Sequence, residues 1–509
     1  MPAALEKEAP KVHPDLEKNI KYLNDIMGHG KSFDIILRRF NVGGKEIAMY
    51  FVNGFVKDDI MSLILRNLDE LKRSDISPNS LKKLFNEHIN HIQVELVDNL
   101  EKVIDGVLSG PLALLIDGEE QALIIDLRQY PGRLPQEPDL EKVVRGPRDG
   151  FVETILMNTL LIRRRLRDPR LRNEAMQVGT RSKTDIVISY IEDIANPELV
   201  ERVKKNLQKI KIDGIPMAEK AVEEIIQPGK YGNLFPKVRF TERPDVAVTH
   251  LLEGRILIMV DTSPSIIIVP SFLWDHLQAA EEYRQGPPVG VYIRWVRYIG
   301  VAITLFILPL WFLFAVQPEL LPPALKFIGP SKMGKIPLIG QFLLAELAID
   351  MIRLATIHTP TPLATSTGII AALLIGDVAV KVGLFSSEVV MYTAIAAVAS
   401  FMIPSYEMSW AVRIVRLFLL LATAAFRLPG LIIATLFTLA YLARTKSLGV
   451  PYLWPLIPFN AKEMLSVIIR TPVEIRNTRP AILHPRNPIR QAVPEPARKP
   501  GGKEEQGEK

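Results

Sequence analysis

The chain has 509 residues, a formal charge of +6, 23% charged residues and no cysteine. Its mean hydropathy of +0.16 at a pI of about 9.1 averages two regimes, a charged N-terminal part and a run of apolar blocks. Disulfides, thiolate metal sites and cysteine nucleophiles are excluded, and basic residues that bunch at the borders of the apolar blocks and in the tail favour an anionic membrane surface over nucleic acid.

Residues 1–31 read as a charged lead-in with one helix and no apolar core of signal-peptide type, which places the following head in the cytosol. A first α/β unit is expected over 32–170. In it FNVGGKEIAMYFVNGF, from Phe40, is extended chain turning at Gly43 and Gly44. KDDIMSLILRNLDEL predicts a helix capped by Asp58 or Asp59, with Ile60, Leu63, Ile64 and Leu68 on one face. VLSGPLALLIDGEEQALIIDL predicts a hairpin around Asp117 and Gly118, a pair suited to the positive φ of tight turns.

A second unit over 171–290 repeats the pattern. Gly179 follows Gly43 by 136 positions and Gly254 follows Gly110 by 144, offsets similar enough to suggest duplicated units, although such turns and hairpins are common. A cleft between two such units could hold a solute, but no residue identifies one. The text joining the units is rich in both signs of charge, with Asp126, Arg128, Pro131, Arg133, Glu137, Arg145, Gly146, Glu153, Asn158, Arg163 and Arg164. Near balance at close spacing points to internal salt bridges and subunit contacts rather than an open anion site.

An α-helical membrane domain of about six spans is expected over 291–445. Residues 298–316 carry no charge and follow Arg294, Trp295 and Arg297, as basic and aromatic anchors at a membrane border would. The block 336–357 carries Glu346, Asp350 and Arg353, which fall on one helical face, and 367–385 carries Asp377 and Lys381 four apart. Residues 389–403 are short and charge-free; 410–426 begins with Arg413 and Arg416; and a last run to about 442 follows RLPG, where a re-entrant turn is open. Basic residues before the first span and after the last put both ends inside, against which Lys326, Lys332 and Lys335 argue. Residues 446–475 read as an interfacial segment and 476–509 as a disordered tail whose RPAILHPRNPIRQ could dock on a partner.

A charge in the bilayer middle costs about 2.5 to 3.5 kcal/mol on insertion scales, so these side chains must face a bundle interior or water. Two readings stand. In an oligomer Glu346, Asp350 and Asp377 form acidic rings that select cations, with Thr359 and Thr361 of HTPTPLATSTG at a pore mouth or in an ordinary connection. Alternatively, Arg353, Lys381, Arg413 and Arg416 pair with them inside the bundle. Enzyme chemistry finds no support: VGGKE lacks the phosphate-loop spacing, His88 and His91 lack a third ligand, and His358 lacks an acidic neighbour. No cofactor or metal is expected.

Four stretches, the charged text over 126–171, VGTRSKTDIVISYIEDIANPELV, TERPDV, and TPTPLATSTGIIAALLIGDVAVKVGLFSSEVVMYTAIAAVASFMIPSY, resemble the GerA family of spore germination proteins, the A subunits, over about 33–459. The resemblance implies a multi-pass protein of the spore inner membrane with its head and both termini on the core (cytoplasmic) side. It implies a homo-oligomer, a pentamer, that conducts monovalent cations when germination begins or amplifies the response. Its partners would be a small membrane protein, other germination proteins and the lipid bilayer. GDVAVK and FRLPG depart from the usual A-subunit text, which bears on pore chemistry and gating. The alternatives are a sensing receptor or scaffold without its own pore, or a secondary transporter built on broken helices. The fold class is therefore an α+β membrane protein, with a head of two similar α/β units, about six helical spans and a disordered tail.

Overall fold

The computed structural model describes residues 10–76, 80–89, 93–129, 141, 143–209, 212–227, 233–324, 329, 334–358, 378–472 and 476–491. The first sheet contains β1 (Ile35–Val42), β2 (Lys45–Val52), β3 (Val94–Val97), β4 (Leu112–Ile116) and β5 (Ala122–Ile125), in the order β1-β2-β4-β5-β3. The second contains β6 (Leu171–Val178), β7 (Thr184–Ile191), β8 (Arg239–Thr241), β9 (Ile256–Val260) and β10 (Ile266–Val269), in the order β6-β7-β9-β10-β8. Every pairing is antiparallel. Each strand of the second sheet occupies the place of the strand five earlier in the first.

The shared topology rests on local chemistry. Gly43 and Gly179, at φ of 53° and 94°, make the first turn of each unit. Gly110 and Gly254, at φ of 115° and 94°, end the helices Leu100–Ser109 and Pro244–Leu252 and release the chain into β4 and β9. A residue with a Cβ is strained at such φ values, so glycine recurs. The central strands LALLI, ALII, ILIMV and IIIV are buried at every position because helices cover both faces. On the first sheet Ala48, Tyr50, Ala113 and Leu115 meet Leu16, Leu23 and Val107 on one side. Ile47, Met49, Leu112 and Leu114 meet Leu68, Leu81 and Leu84 on the other. The helix Asp58–Asp69 starts from Lys57, so Asp58 and Asp59 lie in its first turn, where carboxylates favour the positive helix end without capping it.

The charged connection is part of the core. Its helix Ile155–Arg165 places Leu160 in the first unit's core and Leu161 and Ile162 in the second's.

Beyond the head, the helices Pro287–Val316 and Tyr406–Arg444 are the two among the described residues long and apolar enough to cross a membrane by length and composition. Leu338–His358 carries three charges, and Ser387–Ser400 has 14 residues. Two such helices do not confirm the expectation of about six spans, and 359–377, which holds most of the third expected block, lies outside the described residues. The 39-residue helix is broken at Arg427, at φ 53° and ψ −136°. There the chain folds back: the Phe418 and Phe437 rings come to 5.9 Å, and Ser405 and Ser447, from either end, both reach the loop at Ser271 and His276. RLPG is the turn of this helical hairpin. Pro429 sits in the first turn of the returning arm, where its missing N–H costs nothing, and a Cβ on Gly430 would overlap the Ala422 carbonyl.

The tail is a correction to the expectation of disorder from 476 onward. Over 476–491 it packs on the second unit: Leu483 is buried, Arg479 Nε donates to Leu252 O at 2.8 Å, and Arg486 N donates to Ile194 O at 3.0 Å. One apolar turn and arginines that find buried carbonyls suffice to hold it, so RPAILHPRNPIRQ docks on its own chain.

Candidate functional site

The helix Leu338–His358 brings Glu346, Asp350 and Arg353 to one face at steps of four and three. Three residues apart on the outgoing arm of the hairpin, Arg413 and Arg416 face them. Arg416 Nη2 lies 2.5 Å from Glu346 Oε2, and Arg413 Nη2 lies 3.7 Å from the same oxygen. Arg413 also pairs with Asp350. Arg416 Nη1 donates to Thr304 O at 3.4 Å, tying in the helix Pro287–Val316. The Glu346 and Arg416 side chains are 2% and 1% exposed, whereas that of Asp350 retains 23%. Neither charge of the inner pair could persist alone in such a place, so each requires the other.

Arg353 gathers aromatic neighbours. Its guanidinium lies over Trp410, Tyr406 and Phe401 at 5.1, 5.6 and 5.6 Å from the ring centres, and donates to Ser409 Oγ at 3.1 Å. The aromatic faces partly replace water for the cation. Lys381 is exposed at the end of the short helix Ala379–Lys381. Asp377, Thr359 and Thr361 lie outside the described residues.

The charged motif of the head turns inward. Arg163 and Asp34 are fully buried, with Nε to Oδ2 at 2.8 Å, and Arg163 also donates to Leu171 O at 3.1 Å. Asn173 Nδ2 donates to the same carboxylate at 3.0 Å, so β1, β6 and the connecting helix share one ionic centre. Asn158 accepts from Val152 N and donates to Val152 O, at 2.8 and 2.6 Å. Arg128 is bonded to Asp126, and the Glu153 carbonyl accepts from Thr262 N at 2.8 Å. Arg164 and Arg145 are exposed, and Gly146, at φ 133°, lies against Arg284. Pro131, Arg133 and Glu137 lie outside the described residues.

A second charged layer, at the junction of head and membrane helices, escaped the sequence reading. Arg294 Nε donates to the fully buried Glu282 at 2.8 Å, and Arg297 pairs with the same carboxylate. Arg255 grips Asp275, with Nη2 to Oδ1 at 2.9 Å, and Arg476 lies 3.0 Å from Glu253. Arg294 and Arg297 are legible as border cations, but their acid is not, because it sits in a different element. Burial works against the Glu253 charge, yet Arg476, His250 and Arg255 hold its carboxyl well below the usual range. Among the described residues no group of three or more His, Asp or Glu is placed to hold a metal.

His276 joins this layer to the hairpin, with Nε2 3.3 Å from Ser271 Oγ and Nδ1 3.4 Å from Ser405 Oγ. Burial pushes its pKa down from 6.5 to about 3, and burial also lowers that of His250. The unfolded chain takes up a proton near pH 6.5 and the folded chain near 3, so the stability His276 contributes is full above 6.5 and fades as pH falls through that window. The melting temperature of the full chain in detergent should drop from pH 7 to pH 5, and drop less in His276→Gln. Equal drops would assign the acid sensitivity to other groups.

A family model described as Bacillus/Clostridium GerA spore germination protein matches residues 21–482. The chain is 48% identical over 486 residues to stage V sporulation protein AF of Bacillus subtilis (strain 168), covering 96% of this chain and 98% of that protein. It is 31% identical over 480 residues to spore germination protein GerLA of Bacillus cereus, covering 92% and 96%. Among solved structures, the N-terminal domain of the A subunit of the Bacillus megaterium spore germinant receptor GerK3 is similar at a TM-score of 0.42 and 27% identity, over 52% of this chain and 98% of that one.

Proposed function

The chain belongs to the GerA family of spore germination proteins, and from that premise we propose that it is a membrane subunit of a germination complex in the spore inner membrane, several copies of which enclose an axis that passes monovalent cations. The copies form a pentamer in this reading, and the flux releases ions or amplifies the germination response. A small membrane protein and other germination proteins complete the complex. The observation that carries the reading is the gathering of five ionisable side chains on two facing helices of the membrane part, since charges at such depth mark ion pathways. Asp350, the more exposed carboxylate, is the one assigned to the axis, and Asp377, Thr359 and Thr361 are assigned to the same pathway on their sequence alone. Glu346 is assigned to hold the bundle. Return of both hairpin ends to the head supports placing the head and both termini on the core (cytoplasmic) side.

A second reading, a receptor or scaffold whose partners conduct, is favoured by the enclosure of Glu346 by two arginines of its own chain. Purified full-length protein in liposomes separates them. Passive, saturation-free K⁺ flux supports the channel, coupled saturable uptake a transporter, and no flux the scaffold. Asp350→Asn should alter cation selectivity while leaving the melting temperature within a few degrees of wild type. Unchanged flux and selectivity in the folded variant would remove Asp350 from the pathway.

A further inference from the structure

A cavity of about 640 Å³ lies where the second α/β unit, the start of the helix Pro287–Val316 and the segment after the membrane hairpin meet. This falls within the range of small-ligand sites, about 300 to 1,000 Å³. Of the eight arginines in its walls, Arg239, Arg255, Arg284, Arg294 and Arg476 pair with Glu141, Asp275, Asp245, Glu282 and Glu253, which leaves a surplus of positive charge at Arg145, Arg470 and Arg490. Arg470 shows the surplus most plainly. It is 8% exposed, its guanidinium donates to the Gln285 and Tyr283 carbonyls, and no carboxylate pairs with it among the described residues. Arg145 and Arg490 line the mouth, likewise without an ion-pair partner among the described residues. Deeper in, Trp274 Nε1 is a buried N–H donor with no hydrogen-bond acceptor among the described residues, and Arg255 Nε has only the Glu253 carboxylate, 3.5 Å away. A buried donor of this kind is costly unless an acceptor reaches it. Donors in excess, with cations in excess, call for a ligand made of anionic oxygens.

The surroundings say where such oxygens come from. The short helix Ala461–Ile468 turns Glu463, Ser466 and Val467 into the cavity, and Arg470 follows from the extended chain after it. Its other face carries Leu465 and Ile469, exposed at 52% and 42%, and Phe459, at 70%, lies just before it. On the adjoining membrane helix Tyr292 and Trp295 are exposed at 70% and 47%, the aromatic belt of a membrane border. A basic cavity thus opens beside apolar side chains at the level where phospholipid headgroups lie.

We propose that this cavity binds the phosphate of an anionic phospholipid, the headgroup entering past Arg145 and Arg490 to Arg470 while the acyl chains run over Phe459, Leu465 and Ile469. Because its walls come from the head, the first membrane helix and the returning segment, an occupied cavity would clamp the three together. The proposal rests on the membrane reading above but not on ion conduction, and binding is measured without flux.

The test uses full-length protein in a mild detergent, with dioleoyl-phosphatidylglycerol as probe, dioleoyl-phosphatidylcholine as neutral control and inorganic phosphate as free anion. Native mass spectrometry counts retained lipid, and a thermal melt reports its effect. Retention of phosphatidylglycerol over phosphatidylcholine, weakened about tenfold in the joint variant R145Q/R490Q with an unchanged melting temperature in lipid-free detergent, supports the proposal. Arg470→Gln, if it folds, should weaken retention at least as much. Equal retention of the two lipids, or phosphatidylglycerol retention indifferent to R145Q/R490Q, overturns it. Stabilisation by inorganic phosphate with no preference for phosphatidylglycerol overturns the lipid source and assigns the cavity to a soluble anion.

Discussion

Arg416→Met is expected to destabilise the full chain by about 3 to 5 kcal/mol, because it strands the Glu346 carboxylate, 2% exposed, among apolar side chains. Arg413 lies 3.7 Å from the same oxygen but is already committed to Asp350, so it offsets only part of the loss. The joint variant Glu346→Gln/Arg416→Met should recover most of the stability, since removing both charges removes the desolvation cost with the attraction. A fluorescence-monitored thermal melt in one fixed detergent reads both. A wild-type melt for Arg416→Met would mean that the pair does not hold the membrane bundle together, and the division of labour between Glu346 and Asp350 would fall with it.

The second large effect belongs to the head. Arg163→Ala leaves Asp34, fully buried, with Asn173 as its remaining side-chain donor, a loss again of about 3 to 5 kcal/mol. Arg163→Lys should rescue little, because an ammonium cannot reproduce a fork that engages Asp34 and the Leu171 carbonyl together. Hydrogen exchange on the full chain locates the damage. Faster exchange is expected over Ile35–Val42, Ile155–Arg165 and Leu171–Val178, the elements that meet at this pair, with Ala122–Ile125 far less affected. Uniform acceleration across the head would instead mean that the pair supports the whole fold rather than the junction of its two units.

These two pairs mark different degrees of legibility. The charged run around Arg163 announces internal pairing by its balance of sign, but Asp34 stands 129 positions away in sequence and nothing near Arg163 points to it. The face bearing Glu346, Asp350 and Arg353 follows from helical spacing, but that Asp350 meets Arg413 of another helix does not. Arg353 turns to the rings of Phe401, Tyr406 and Trp410. The tail was misread for a related reason. Proline and charge without periodicity look like disorder, yet the buried Arg479, Pro480 and Leu483, the Arg476–Glu253 pair and a few bonds to carbonyls anchor it over 476–491.

By itself the amino-acid sequence determined the repeated turn–hairpin pattern of the head, the charge-free span that opens the membrane part and the family. Those depend on near neighbours: glycine where φ must be positive, unbroken apolar text where both faces are covered, and absence of charge over the length of a span. Only the tertiary structure decided which charge meets which and that eight arginines converge on one cavity at the junction. Ion pairing is set within about 4 Å in space, and Glu346 reaches Arg416 across 70 positions of chain, a relation that packing creates and local spacing cannot encode.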